Sequence, residues 1–318
     1  MRTPSLASPG TRGIVGIALG VALLVLSGSS SQAQSLSYSS GQNVSPAFEG
    51  WETDADGNSF FLFGYMNNNW EEELDVPVGP DNSFNLLGAD LGQPSHFLPR
   101  RNRFVFRVPV PKDFGNKELV WTLKTNGVTE KAYATLRQDY FVDNVVKASE
   151  TGALGPGSSN PTIRANKPPV VQLEGAKART AKVGQPLQLV ATVTDDGVPK
   201  APGQNGAPMP NAAAVARRVM MPPQRITVGK MSGLHLSWFV YRGAGKVEFT
   251  PDQVEPWEDT RSGANSPWAT IWFPPPVPAE GRYVATATFS EPGTYVLRAR
   301  ADDGALFGDQ ELTVTVVK

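Results

Sequence analysis

The feature that most constrains this chain is the spacing of its apolar residues. From Ser59 to Lys318 they fall in short runs that alternate with polar residues, and Gly or Pro closes most runs. A two-residue period puts alternate side chains on one face of a strand, whereas a helix needs apolar positions three and four apart. With 31 Gly and 28 Pro in 318 residues, the pattern predicts an all-β chain of many short strands. The nearest approach to a helix is the alanine-rich stretch from Asn211 to Met221. It lies between proline clusters and has room for two or three turns.

The N-terminal end reads differently. Arg2 and Arg12 precede an apolar run of 14 residues, Gly13 to Leu26, which is short for a bilayer span. Small residues follow, and Ser31 and Ala33 fit a small-x-small cleavage site, so residues 1–33 are expected to be a secretory signal peptide. Export places the mature chain in the periplasm, at the cell surface or outside the cell, with no membrane span after cleavage. The chain contains no Cys, so burial alone must hold each domain. It carries 29 basic and 30 acidic residues with no dense Lys/Arg run, which argues against nucleic acid and against a polybasic membrane patch.

Two β-sandwich modules are expected, at 42–141 and 170–318, joined by a flexible Gly/Ser/Pro/Asn linker at 142–169 that leaves them free to move. Strands of the first are predicted at 59–66, 72–78, 102–110, 118–124 and 128–136. In the third, Phe104, Phe106, Val108 and Val110 share the buried face by alternation, and Pro109 marks an edge. Asn126-Gly127 is a tight hairpin turn. The second module shows seven alternating strands, with Trp238 as the central plug of an immunoglobulin-like sandwich.

In that module TDDG (194–197), LSWFVYRGAGKVEF (236–249), ATFSEPGTYVLRARADDG (287–304) and the closing LTVTV resemble a PKD-type domain, an immunoglobulin-like extracellular module. Trp238, Gly293, Tyr295 and Gly304 fall in the expected order, and Gly293 with Tyr295 fits a tyrosine corner. The departures are two long insertions, at 198–233 and 250–281. The first module is similar, more loosely, to an uncharacterised β-rich module of bacterial surface and secreted proteins, through FGYMNNN (63–69), VPVGPDNSF (76–84), GQPSHFLPRR (92–101) and VWTL (120–123). That resemblance implies export and carries no activity.

Enzyme chemistry finds little support. His96 and His235 are the only histidines, so no paired-His or three-His metal site can be built, and neither a G-x-S-x-G elbow nor a P-loop is present. His235 alternates with core positions and is expected to face outward, while His96 is placed in a loop. Acidic pairs at strand ends are ordinary turn material, since Asp-Gly supplies capping and a flexible φ. The sharper reading of Asp195, Asp196, Asp302 and Asp303 is a calcium site at one end of the sandwich, because Ca²⁺ takes six to eight oxygen ligands. An EF-hand at Asp54 is excluded by Tyr65 at its twelfth position.

The aromatic residues point to binding. Trp257, Trp268 and Trp272 lie in the second insertion, and large apolar surface on a loop must be covered. Either the loop packs over the outward sheet face carrying Phe239 and Tyr241, or its rings form a platform for a sugar or a partner strand. Tyr65, Asn67 and Trp70, beside an Asn run, are either ordinary turn material or a second ligand-binding candidate. The expected function is non-catalytic binding or scaffolding of a protein or glycan at the cell envelope, with self-association as a further mode. A carbohydrate-active accessory module or weak glycoside hydrolase using Glu258 and Asp259, and a structural subunit of an extracellular assembly, are the alternatives.

Overall fold

The structure is a computed structural model that describes residues 38–150, 161–200, 233–257 and 274–318, together with 204, 211 and 213. The expected signal peptide, the Asn211–Met221 stretch, Trp268, Trp272, Glu258 and Asp259 lie largely or wholly outside these residues. Residues 38–318 form one compact unit. Sixteen strands are described and the architecture is all-β.

The first eight are β1 (Val44–Thr53), β2 (Ser59–Asn67), β3 (Leu74–Asp75), β4 (Asn82–Phe84), β5 (His96–Phe97), β6 (Arg100–Val110), β7 (Leu119–Thr125) and β8 (Val128–Ala134). They make two three-stranded sheets, β1-β2-β6 and β4-β7-β8, with a small β3-β5 ladder. Between the sheets lies an aromatic core. Phe63 stacks on Phe106 at 5.3 Å, and Trp121 meets Phe106 edge-on at 5.1 Å. The Trp121 indole N–H donates to Asn82 Oδ1 at 2.9 Å, so the buried ring leaves no donor unpaired. The expected hairpin closes β7 on β8, with Asn126 and Gly127 at φ of 48° and 79°.

Three local expectations fail here, each for a physical reason. β1 is missing from the sequence reading because Pro46 and a bulge at Phe48–Gly50 interrupt its alternation. The strand expected at 72–78 shrinks to two residues before a proline-rich turn. In β6 the register slips opposite Gly64, and Phe104 takes a φ of +50°. That bulge turns Phe104 away from the core to pack with Leu62, Val142 and Phe307, and puts Val105 inside instead.

The remaining strands are β9 (Val170–Leu173), β10 (Ala178–Lys182), β11 (Leu187–Thr194), β12 (His235–Arg242), β13 (Val247–Thr250), β14 (Arg282–Phe289), β15 (Gly293–Asp302) and β16 (Phe307–Val317). They form two four-stranded sheets, β10-β16-β15-β12 and β13-β14-β11-β9, packed as an immunoglobulin-like sandwich. Leu189, Ala191, Trp238, Ala287, Phe289, Leu297, Leu312 and Val314 fill it, on the faces that alternation assigns. Tyr295 is fully buried and its hydroxyl donates to Glu291 O at 3.0 Å, closing the expected corner. Gly243 and Gly245 make room for it, since a Cβ at either would come within 2.7 Å of the tyrosine.

The stretch expected as a flexible connection begins with a packed helix, Asn144–Glu150. Asp143 Oδ1 caps it at the Val146 N–H, and Ala148 is buried against Ala305 and Leu306 of the second module. A short helix, Pro161–Arg164, ends it.

Candidate functional site: the sheet face between the modules

β12 is buried on both faces. One face carries Leu236, Trp238 and Val240 into the sandwich core. The other, which was expected to be outward, carries His235, Ser237, Phe239 and Tyr241 and is covered chiefly by the first module. His235 is therefore buried, with Nδ1 2.9 Å from Gly233 O. Tyr241 joins the aromatic core of the first module, and its hydroxyl donates to Gly92 O. The Ser95 N–H donates to Tyr241 O at 3.2 Å, extending the β12 edge into the first module. Burial pushes the Tyr241 phenol up to about 12.

Two arginines on β15 occupy the same face, because residues two apart point the same way. Arg298 is 5% exposed. Its guanidinium lies 3.4 Å over the Tyr241 ring, donates to Glu311 Oε1 at 2.6 Å, and reaches Val105 O of β6 across the module boundary. Arg300 forms a bidentate pair with Asp309, both bonds at 2.8 Å, and stacks 3.7 Å over Phe307. At the rim Arg242 holds Asp90 in a second bidentate pair, at 2.9 and 2.7 Å, and this contact keeps the Asp90 carboxyl below its ordinary range. Planar guanidinium groups suit this role, since they pair bidentately and stack on rings at once. The chemistry of the face is adhesion, with its arginines engaged by carboxylates, carbonyls and aromatic rings.

Trp257 is 6% exposed and packs with Leu98 and Phe239. The start of the insertion thus lies back over the β12 face, alongside the first module. The Asn run is equally internal. Tyr65 is 2% exposed, and its hydroxyl accepts the Leu98 N–H at 2.9 Å. The fully buried Asn67 donates to Glu72 O and Phe97 O and accepts from both nitrogens of Asn69. Trp70 is half-buried beneath the Arg100 guanidinium at 3.9 Å. These residues organise a turn, and only Trp70 keeps part of its ring at the surface.

The four aspartates expected as a calcium site share one end of the second sandwich, but their oxygens accept N–H groups. Asp196 takes the Lys167 and Val198 amides and Asp302 takes that of Gly304. The Gly197 amide bonds one oxygen of Asp195, and the other oxygen is buried without a partner. Asp303 takes the Ala305 and Leu306 amides and the Asn166 side chain. Among the described residues no three His, Cys, Asp or Glu are placed to hold a metal ion together. Burial raises the Asp303 carboxyl to about 8.

His96 sits in β5, not in a loop, with Nδ1 2.8 Å from Asp75 and Nε2 3.0 Å from Glu73. Burial lowers its pKa, but the two carboxylates outweigh burial and raise it to about 9. The aromatic surface that sequence reasoning missed is Tyr140 and Phe141, 46% and 39% exposed, beside Phe48 and Trp51 of β1. The adjacent pair at 140–141 was the available signal.

No protein family's sequence profile matches the chain, and no curated protein matches it. Solved structures with partial likeness include the S-layer protein rSbsC(31-844), 10% identical with a TM-score of 0.22 over 87% of this chain and 28% of that one. The N-terminal eight immunoglobulin domains of Down Syndrome Cell Adhesion Molecule are 10% identical, with a TM-score of 0.22 over 86% and 27%. The D00-D0 domain of intimin is 10% identical, with a TM-score of 0.23 over 86% of this chain and all of that one. The chain spans about 28% of the length of that S-layer chain. Likeness at this level carries no functional weight.

Proposed function

We propose that this is an exported, non-catalytic binding or scaffolding protein, acting on a protein or glycan at the cell envelope or outside the cell through the surfaces of a two-module β body. The observation that carries the reading is the sealed face between the modules. Arg298, Tyr241 and Phe239 use a sheet face for internal adhesion, and this gives a chain without disulfides a single stiff body. A stiff body holds its remaining surfaces in fixed relation, which is what a scaffold needs. The finer family reading, a PKD-type second module, is supported by Trp238 in the core and by the Tyr295 corner. Among the described residues no helix is long and apolar enough to cross a membrane. Light scattering of the purified protein, with pull-downs against envelope proteins and envelope polysaccharides, tests the proposal. Retention of a partner or formation of defined oligomers is expected. A monomer that binds neither but releases reducing sugar would contradict it.

A further inference from the structure

The two sheets of the immunoglobulin-like sandwich end in four strands, β10 and β12 in one and β13 and β9 in the other. An end strand leaves a row of N–H and C=O groups outside the ladder, and such a row invites a strand from another chain. Three of the four carry their own deterrent. β9 and β13 are four residues long; Pro169 precedes the first, and the second bears Glu248 and runs into Pro251. β10 bears Arg179 and Lys182. β12 has no such protection. From Leu234 to Tyr241 the chain reads LHLSWFVY, without Asp, Glu, Lys, Arg, Pro or Gly, the long, uncharged, β-prone kind of segment that associates edge to edge.

What β12 lacks in sequence is supplied by side chains from the two insertions. Gln253 Oε1 accepts the Trp238 N–H at 2.9 Å, so this N–H turns away from β15 toward the outer edge. Backbone groups two and four residues away on a strand turn the same way, which puts Leu234 on that edge too. There Gln204 does what a neighbouring strand would do. Its Oε1 accepts the Leu234 N–H at 2.8 Å, and its Nε2 donates to Leu234 O at 2.7 Å. A side-chain amide offers the same C=O and N–H as a peptide group, and here it takes both partners of one strand residue.

Gln204 lies in the first insertion, and the same Nε2 donates to Pro275 O of the second at 2.9 Å, so the two insertions meet on this edge. Gln204 is 4% exposed. Burying an amide costs free energy that its bonds must offset, so the position is specified for bonding and not for filling space. At the far end a bulge between Val240 and Arg242 shifts the parity by one, and the Ser95 N–H of the first module takes Tyr241 O at 3.2 Å. The edge is thus met at its start, its middle and its end. The first insertion stops where β12 begins, and the second follows the next strand, β13.

We propose that the two insertions are an edge guard: through Gln204 and Gln253 they hold β12 shut against strand addition by a second copy of this chain. An antiparallel edge is its own complement, because two identical strands related by a two-fold axis satisfy each other's outward groups. A bared β12 therefore finds a matching partner in every other molecule of the protein. The contact is one the protein avoids, whatever its other surfaces bind.

The test compares the whole purified protein with Gln204→Leu, which removes the bonds at Leu234, and with Gln253→Leu, which removes the one at Trp238. Light scattering over a range of concentrations reads the mass, and amide hydrogen exchange at Leu234 and Trp238 reads the edge. The wild type should protect both amides equally at every concentration. In each variant, exchange at the unguarded amide is expected to rise about tenfold or more in dilute solution. It should slow again as concentration and mass rise together, because a second copy then covers the edge. Unchanged exchange in the dilute variants, exchange that stays fast at every concentration with no gain in mass, or a gain in mass without renewed protection at Leu234 or Trp238 would each overturn the guard. If Gln204→Leu loses its cooperative melting transition, Gln253→Leu decides alone, since it gives up a single bond to the edge from a half-buried position.

Discussion

His96 shows how one side chain can be held by its neighbours. Asp75 and Glu73 take both ring nitrogens, and the ring itself is buried. Its folded pKa of about 9 exceeds the ordinary value of 6.5. The stability it contributes is therefore fully present below pH 6.5 and is lost as pH rises through about 9. His96→Ala is expected to cost about 1–2 kcal/mol near pH 6, with the gap closing by pH 10 in parallel denaturation curves. Asp303 shifts stability in the same direction with pH, but through burial of its charged form instead of through pairing. Its carboxyl, raised from 3.8 to about 8, keeps its proton in the folded state after the unfolded chain has lost it, so stability falls as pH rises from about 4 to about 8. Asp303→Asn keeps an oxygen for the Ala305 and Leu306 amides and removes the titration. The variant should be more stable than wild type at pH 8, with the difference shrinking toward pH 4.

Among the elements, the corner that joins β12 to β15 is the most tightly specified. Gly243 has a φ of +122° and leaves no space for a Cβ beside Tyr295. Gly243→Ala should cost about 2–3 kcal/mol through overpacking and backbone strain together. Tyr295→Phe, which loses only the bond to Glu291 O, should cost about 1 kcal/mol. Most strands of the second module were legible in sequence because each buries one face, so apolar residues fall at every second position from Leu187 to Val193 and from Ala285 to Phe289. β10 was not legible, since Ala181 is its only buried residue. β1 and Phe104 were obscured by bulges, which shift the period by one residue and leave no composition signal. Which of the two readings of the Asn run applies, turn or ligand contact, was hidden for a related reason. Tyr65 and Asn67 look like recognition residues in sequence, but long-range partners at Leu98 and Phe97 bury them. The covered β12 face was half-legible: its aromatic and arginine content marked a contact surface, but its main cover came from a segment more than a hundred residues away.

At the scale of the whole molecule, the interface decides how the chain behaves. A linker of this composition ordinarily permits independent motion, yet Arg298, Arg242, Tyr241 and Ser95 tie the two sandwiches through rings, carbonyls and carboxylates. Arg298→Met would leave the Val105 carbonyl and the Glu311 carboxylate without their partner and strip the Tyr241 ring of its cation. The expected loss is about 2 kcal/mol, reduced from the value for a fully buried pair because Glu311 is half exposed. The most direct test of a single stiff body is differential scanning calorimetry of the purified protein beside Arg298→Met. One transition with equal calorimetric and van't Hoff enthalpies is expected for the wild type, moving to lower temperature or dividing in the variant. Two separate transitions in the wild type, unmoved by Arg298→Met, would show that the sandwiches unfold independently and would contradict the account.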